Sequence, residues 1–177
     1  MFGRLLESFL LNITTTLYKG DNNMEMRRKD RALGMEETIE ILNKSEYGIL
    51  STVDENNVPY GVPINFAYTD GVIYFHCAKD VGHKLSNIKQ NSNACFTVVN
   101  DVCLLPSTFS TKYSSAILFG TISAVEDDEE KRKGLEELIK KLAPDYMESG
   151  LKYIANSMGD TTVLKMEVKE MTGKAKK

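Results

Sequence analysis

Apolar residues recur along this chain with two different periods, and the switches between them mark out its elements. Met35, Ile39 and Leu42 fall at i, i+4 and i+7 with Glu36, Glu37 and Glu40 between them, which predicts a helix. Residues 47–53 read as a strand, closed by the turn Asp54-Glu55-Asn56-Asn57. From Val58 to Tyr68 the alternation is strict. Val58, Tyr60, Val62, Ile64, Phe66 and Tyr68 share one face, and the small or donor-poor Pro59, Gly61, Pro63, Asn65 and Ala67 share the other. Thr69-Asp70-Gly71 carries a hairpin signal, so residues 72–77 are the partner strand. A short helix follows at 83–90 with Leu85 and Ile88 inward, then a strand at 94–99. Residues 101–112 read as a loop around Pro106, and 113–125 as a long strand whose register breaks at Gly120. Asp127 to Leu142 is an amphipathic helix with acids at its start and lysines at its end, stopped by Pro144. A second short helix is expected over 145–156 and a closing strand over 162–168.

Six strands linked mostly by hairpins predict a mainly β fold with peripheral helices, in which one antiparallel barrel is closed or nearly so. Regular strand–helix alternation, the mark of a doubly wound sheet, is absent from the first hairpins. Residues 1–23 stand apart. Leu6, Phe9, Leu10 and Ile13 recur at helical spacing, while Glu7 and Asn12 interrupt any signal-peptide or membrane-spanning run. They are expected to form a helical appendage to a single domain over 24–177.

Composition narrows the partners. The chain has 177 residues and a formal charge of −3, from 22 basic and 25 acidic side chains, which is no footprint for nucleic acid. Basic clusters at Arg27-Arg28-Lys29 and Lys174–Lys177 read as solvated ends. Cys77, Cys95 and Cys103 are odd in number and form no C-x-x-C pair, which points to a reducing cytoplasm without a membrane anchor.

Candidate chemistry gathers in Tyr74-Phe-His-Cys-Ala-Lys-Asp-Val-Gly-His-Lys-Leu85, which sets His76, Lys79, His83 and Lys84 around a strand end, a loop and a helix start. A helix N-terminus with a lysine suits a phosphate, although a solvated Lys84 is the plainer reading. His76 is either a satisfied strand residue or a catalyst. His76, Cys77 and His83 lack zinc-site spacing. No G-x-S-x-G elbow or G-x-G-x-x-G fingerprint occurs, so a Rossmann-bound dinucleotide is not expected. The sparse face of residues 59–67 fits either a kinked edge strand or a flat ligand lying on a sheet.

Taken in order, several segments resemble the FMN-binding split-barrel superfamily of pyridoxamine 5'-phosphate oxidase-like proteins, and its nitroimidazole-resistance branch in particular. They are Met26–Arg31, Tyr47–Val53, Pro59–Asn65, Ile73–Ala78, Gly82–Ile88, Tyr113–Gly120 and Met171–Lys174. The resemblance implies a six-stranded antiparallel split β-barrel that forms a homodimer with two FMN sites at the interface. It implies that Pro63, Ile64 and Asn65 lie beside the isoalloxazine, with Ser51 and Thr52 on the neighbouring strand. His76, Cys77 and Ala78 then line the ribityl chain or ring, and His83 and Lys84 hold the phosphate. Tyr113, Ser114 and Ser115 reach the FMN of the partner subunit, and His76 becomes the candidate catalytic residue. The implied activity is FMN-dependent reduction of small planar acceptors such as nitroaromatics by NAD(P)H. A non-catalytic flavin- or haem-binding protein, with His76 as axial ligand, is the alternative, and a deazaflavin is a further ligand such barrels take. Pyridoxamine phosphate oxidation is a third reading. The Arg- and Trp-bearing C-terminal motif of those oxidases is missing, and the chain contains no Trp.

Overall fold

The computed structural model describes residues 26–79 and 81–177. The expected N-terminal appendage therefore lies outside the described residues. In chain order the elements are β1 (Ala32–Leu33), α1 (Met35–Lys44), β2 (Tyr47–Val53), β3 (Pro59–Asn65), β4 (Ala67–Thr69) and β5 (Val72–Ala78). They continue with α2 (His83–Gln90), β6 (Asn93–Leu105), β7 (Ser110–Ala124), α3 (Asp128–Leu142), α4 (Met147–Ser157) and β8 (Thr161–Lys176). All the strands join one antiparallel sheet in the order β3-β2-β6-β7-β8-β5-β4, with β1 added on β8. The expected split barrel is there, with eight strands in place of six.

The two extra strands are β1, which was not expected, and the second half of a divided 58–68, and two expected strands also run longer. The predicted strand 58–68 is interrupted at Phe66, so its first half pairs with β2 and its second half with β5. That bend wraps the sheet round on itself and leaves the other edge of β3 unpaired, which splits the barrel. The predicted loop 101–112 is mostly strand: β6 and β7 pair from Asn93↔Thr121 to Leu105↔Ser110, and only Pro106 to Phe109 turn the chain. A bulge between Asn100 and Cys103, with Asp101 at φ 51°, lets this arm bend away from the body. β8 runs on to Lys176 because its far half pairs with β7 and β1.

The hairpin at Asp70-Gly71 forms as the D-G signal requires, both residues having positive φ (49° and 82°). Gly120 is a close approach: a Cβ there would sit 2.0 Å from the Glu167 carbonyl oxygen, beside the β7–β8 register shift.

The barrel interior holds Leu50, Phe66, Ile73, Phe75, Phe96, Val98, Leu118, Leu164 and Met166, with Ile41 and Leu42 of α1 and Leu85 and Ile88 of α2 as plugs. Phe96 takes Phe66 and Phe75 edge-on, with ring centroids 4.7 and 5.1 Å away. A second cluster lies outside the barrel, where Leu135 and Leu138 of α3 and Ile154 of α4 cover Ala67, Tyr74 and Val163. The Tyr74 hydroxyl donates to Glu130, which also pairs with Lys165 at 3.3 Å, so α3 is tied to both β5 and β8. Lys141, near the end of α3, donates to the Leu42 carbonyl at 2.9 Å and lies over the Phe66 ring. Burial holds its pKa down at about 8. Among the described residues no helix is long and apolar enough to cross a membrane.

Candidate functional site

Strand parity and register assign each candidate side chain to a place. On the outer face Pro63 lies opposite Ile49, Gly61 opposite Ser51, and Asn65 opposite Tyr47. The rows continue across the sheet through Ile49↔Thr97, Thr97↔Ile117 and Ile117↔Thr172. This wall is open. Tyr47 is 61% exposed, Val99 57%, and Ile49 and Ile117 each 38%, values that no covered core strand shows. Pro59, Gly61, Pro63 and Asn65 are exposed as well. A Cβ on Gly61 would stand 3.3 Å from Ile49 Cγ2 and 3.8 Å from Ser51 Oγ, so its absence keeps the floor flat. Asn65 is oriented by its own amide, which donates to the Glu46 carbonyl at 3.0 Å.

Immediate neighbours of these residues point the other way, as the period of two demands. Thr52 is buried at 1% exposure and accepts from Asn87 Nδ2 at 3.1 Å, inside the barrel. Ile64 packs on the interior cluster. Ser51, Pro63 and Asn65 therefore share the open wall, and Thr52 and Ile64 support it from beneath.

A second group forms at the split. Gly82 caps α2 at φ 108°, a conformation that favours glycine. Its carbonyl accepts from the amides of Leu85 and Ser86, so the His83 and Lys84 amides belong to the first turn, whose donors have no intrahelical acceptor. Lys84 lies close to Cys77, which points into the barrel mouth; burial pushes the Cys77 thiol up, and the lysine partly offsets that. The His83 ring stands 5.7 Å from Tyr60, an inward residue of β3. That contact joins the cationic mouth to the strand whose other face is the open wall. Ala78 ends β5, exposed, at the same rim. Tyr60 was legible in the alternation, but its pairing with α2 depends on the bend at Phe66.

His76 sits elsewhere. It shares a face with Val72 and Tyr74, as expected; α3 and α4 roof Tyr74, while His76 is exposed at the edge of that roof. His76 opens onto a cavity of about 240 Å³ whose other walls include Leu135, Leu138, Tyr153, Ile154 and Met158. The apolar surroundings hold the imidazole pKa below its ordinary 6.5. At neutral pH the ring is uncharged.

The last three candidates separate along β7. Ser114 is buried and donates to Asp101 at 2.9 Å. Ser115 faces outward in the row of Val99, its hydroxyl donating to the Lys174 carbonyl at 3.4 Å. Tyr113 lies farther out, beside Lys174 and Arg31, which hold its hydroxyl below the ordinary phenol range. Neither Arg31 nor Lys174 stood out in the sequence as a partner of Tyr113.

The family model for pyridoxamine 5'-phosphate oxidase matches residues 35–175, and the chain belongs to that family. Among solved structures it is similar to a proposed 5-nitroimidazole antibiotic resistance protein from Bacteroides thetaiotaomicron. The two share 26% identity over 81% of this chain and 86% of that one, with a TM-score of 0.71. The flavocytochrome Anf3 from Azotobacter vinelandii matches with a TM-score of 0.74 at 20% identity, over 89% and 75% of the two chains. A FAD and heme binding protein from Mycobacterium smegmatis matches with a TM-score of 0.70 at 21% identity, over 81% and 72%. No curated protein matches the chain.

Proposed function

We propose that this chain is an FMN-dependent oxidoreductase that works as a homodimer and passes electrons from a reduced nicotinamide dinucleotide to a small planar acceptor such as a nitroaromatic. The observation that carries this reading is the open wall of Pro63, Gly61 and Ile49, joined through Tyr60 to the cationic mouth at Lys84. Fold alone does not name a reaction, so the reading rests on these residues.

The residues fit a phosphorylated tricyclic ring. Gly61 leaves a flat floor that a Cβ would crowd. Gly82, at positive φ, opens the first turn of α2, whose amides have no intrahelical acceptor, and Lys84 adds a full charge beside it. Bound there, FMN would supply the hydride and electron chemistry, and the protein's part is to hold and orient it. Ser51 and the carbonyl oxygen of the anchored Asn65 amide offer polar contacts on the wall. The exposed apolar side chains Tyr47, Ile49, Val99 and Ile117 form a continuous surface of the kind a second copy covers. Covering it excludes water from whatever lies on the wall. His76 opens instead onto the separate cavity beside α3 and α4, so the transfer at the wall is proposed without it.

The test is the chromophore. The purified protein should be yellow, release FMN on denaturation, sediment as a dimer and reduce a nitroimidazole anaerobically with NADPH. A colourless preparation that takes up no FMN overturns the reading, and a yellow one without turnover reduces it to flavin binding. Haem binding is a second reading, favoured by the free imidazole of His76 in an apolar cavity. It predicts a Soret band on haem titration that vanishes in His76→Ala.

A further inference from the structure

The two basic stretches, one at the start of the described chain and one at its end, meet in space. Pairing of Ala32 with Lys174 and of Leu33 with Gly173 lays the Lys29–Arg31 turn against the end of β8. Arg28, Arg31, Lys176 and Lys177, with Asp30 among them, line a recess of about 460 Å³ there. Lys174 stands beside it with Nζ 5.8 Å from the Tyr113 ring centroid. Among the described residues two carboxylates answer these five cations: Asp30 takes Arg28 at 2.7 and 2.5 Å, and Glu37 takes Lys177 at 3.4 Å. Arg31 and Lys174 turn instead toward the Tyr113 hydroxyl, and Lys176 toward the Ser110 hydroxyl. Neutral hydroxyls do not balance charge. In a chain of formal charge −3, this corner keeps an excess of positive charge around a concave surface.

The corner is also continuous with the open wall. Tyr113, Ser115 and Ile117 alternate on one face of β7, opposite Lys176, Lys174 and Thr172 of β8. Four residue steps along the strand take Tyr113 to Ile117, about 13 Å at roughly 3.3 Å per residue. A ligand with a ring on the wall could therefore place its phosphates in the recess, with Tyr113 offering an aromatic edge. Guanidinium forks such as Arg31 suit phosphate oxygens in pairs.

We propose that the Arg28–Arg31–Lys174–Lys176 corner is a second anion site, separate from the Lys84 mouth, which receives the phosphates of the nucleotide electron donor. This rests on the oxidoreductase reading above for the identity of the donor, but not for the existence of the site. The shared chemistry is nucleotide phosphate, and the flavin's own phosphate is the competing source.

The decisive variant is Arg31→Gln with Lys174→Gln. In steady-state assays of the flavin-loaded protein it should raise KM for NADPH at least tenfold, with kcat and flavin content unchanged. Loss of flavin with an unchanged KM means the corner holds the flavin phosphate and overturns the proposal, as does no change in either. A second arm needs no turnover: calorimetric titration of the protein as purified with 2',5'-ADP. Binding that weakens at least tenfold in the double variant, and is retained in Arg31→Lys with Lys174→Arg, supports the site. Absence of 2',5'-ADP binding to the unaltered protein overturns it. A colourless protein that still binds 2',5'-ADP at this corner would remove the oxidoreductase reading and leave the site standing.

Discussion

The two outer sides of this barrel are treated in opposite ways. Over β4, β5 and β8, α3 and α4 are laid down as a roof, and Ala67, Tyr74 and Val163 vanish beneath Leu135, Leu138 and Ile154. Over β2, β3, β6 and β7 nothing from the described chain is laid down, and Tyr47, Ile49, Val99 and Ile117 are left open. Both sides carry apolar residues at alternate positions, so the strands themselves do not explain the difference. The roofed side satisfies its own burial, while the bare side is the one proposed above to take a flavin and a second copy. Structure is invested in the first and function in the second.

That contrast can be broken at several points. The largest effect is expected on the roofed side. Leu138→Ala should lower the unfolding free energy by about 2–5 kcal/mol, read from urea midpoints, because the cavity under α3 cannot be refilled. Ile49→Lys on the bare side should leave the folding of the single chain within about 0.5 kcal/mol, as surface changes do. It should nonetheless weaken dimerisation by roughly 100-fold in sedimentation, since a lysine buried without a partner is costly. A large loss of folding stability there would mean the wall is ordinary core and would erase the distinction. Lys84→Ala should weaken FMN binding by about 10- to 100-fold, the effect of one charge-assisted hydrogen bond worth about 1.5–3 kcal/mol. Fluorescence titration measures it, and unchanged affinity would move the phosphate away from α2. The smallest effect concerns His76. Its folded pKa lies below 6.5, so the neutral ring is lost only as pH falls through that lower value. The unfolded chain takes up that proton more readily, so folding stability should fall slightly as pH drops from 6.5 towards the lower folded value, and in His76→Gln that loss should disappear from urea midpoints measured across pH.

How much of this was legible depends on whether a signal was local. The Asp70-Gly71 hairpin, the helix at 83–90 and the acid-led α3 could be read directly, since turn chemistry and periodicity act over a few residues. The arm of β6 and β7 beyond Asn100 was not. Val102, Leu104 and Phe109 lie in the open, so no buried face imposes a period there, and Pro106 drew attention to a turn far shorter than the loop expected. The far half of β8 was missed for a related reason: most of Glu170 to Lys176 is only partly covered and shows no in–out alternation. At the site, the sparse face of β3 was readable and is open. Adjacent strand residues must diverge, however, so Thr52 and Ile64 could never have shared that wall with Ser51 and Pro63. The meeting of Arg31 with Lys174 was invisible because it depends on β1 finding the end of β8.

That same strand governs when the molecule can exist at all. β8 stands between β7 and β5 in the sheet, and without it the order falls into β3-β2-β6-β7 and a β5-β4 hairpin tethered to it only through the bend at Phe66. Contacts this distant in sequence form late and slowly. A chain still emerging from the ribosome therefore leaves the edges of β7 and β5 bare until Thr161–Lys176 is free of the exit tunnel. Unpaired edges of that kind invite pairing with other chains, a hazard that the stability of the finished barrel does nothing to lessen.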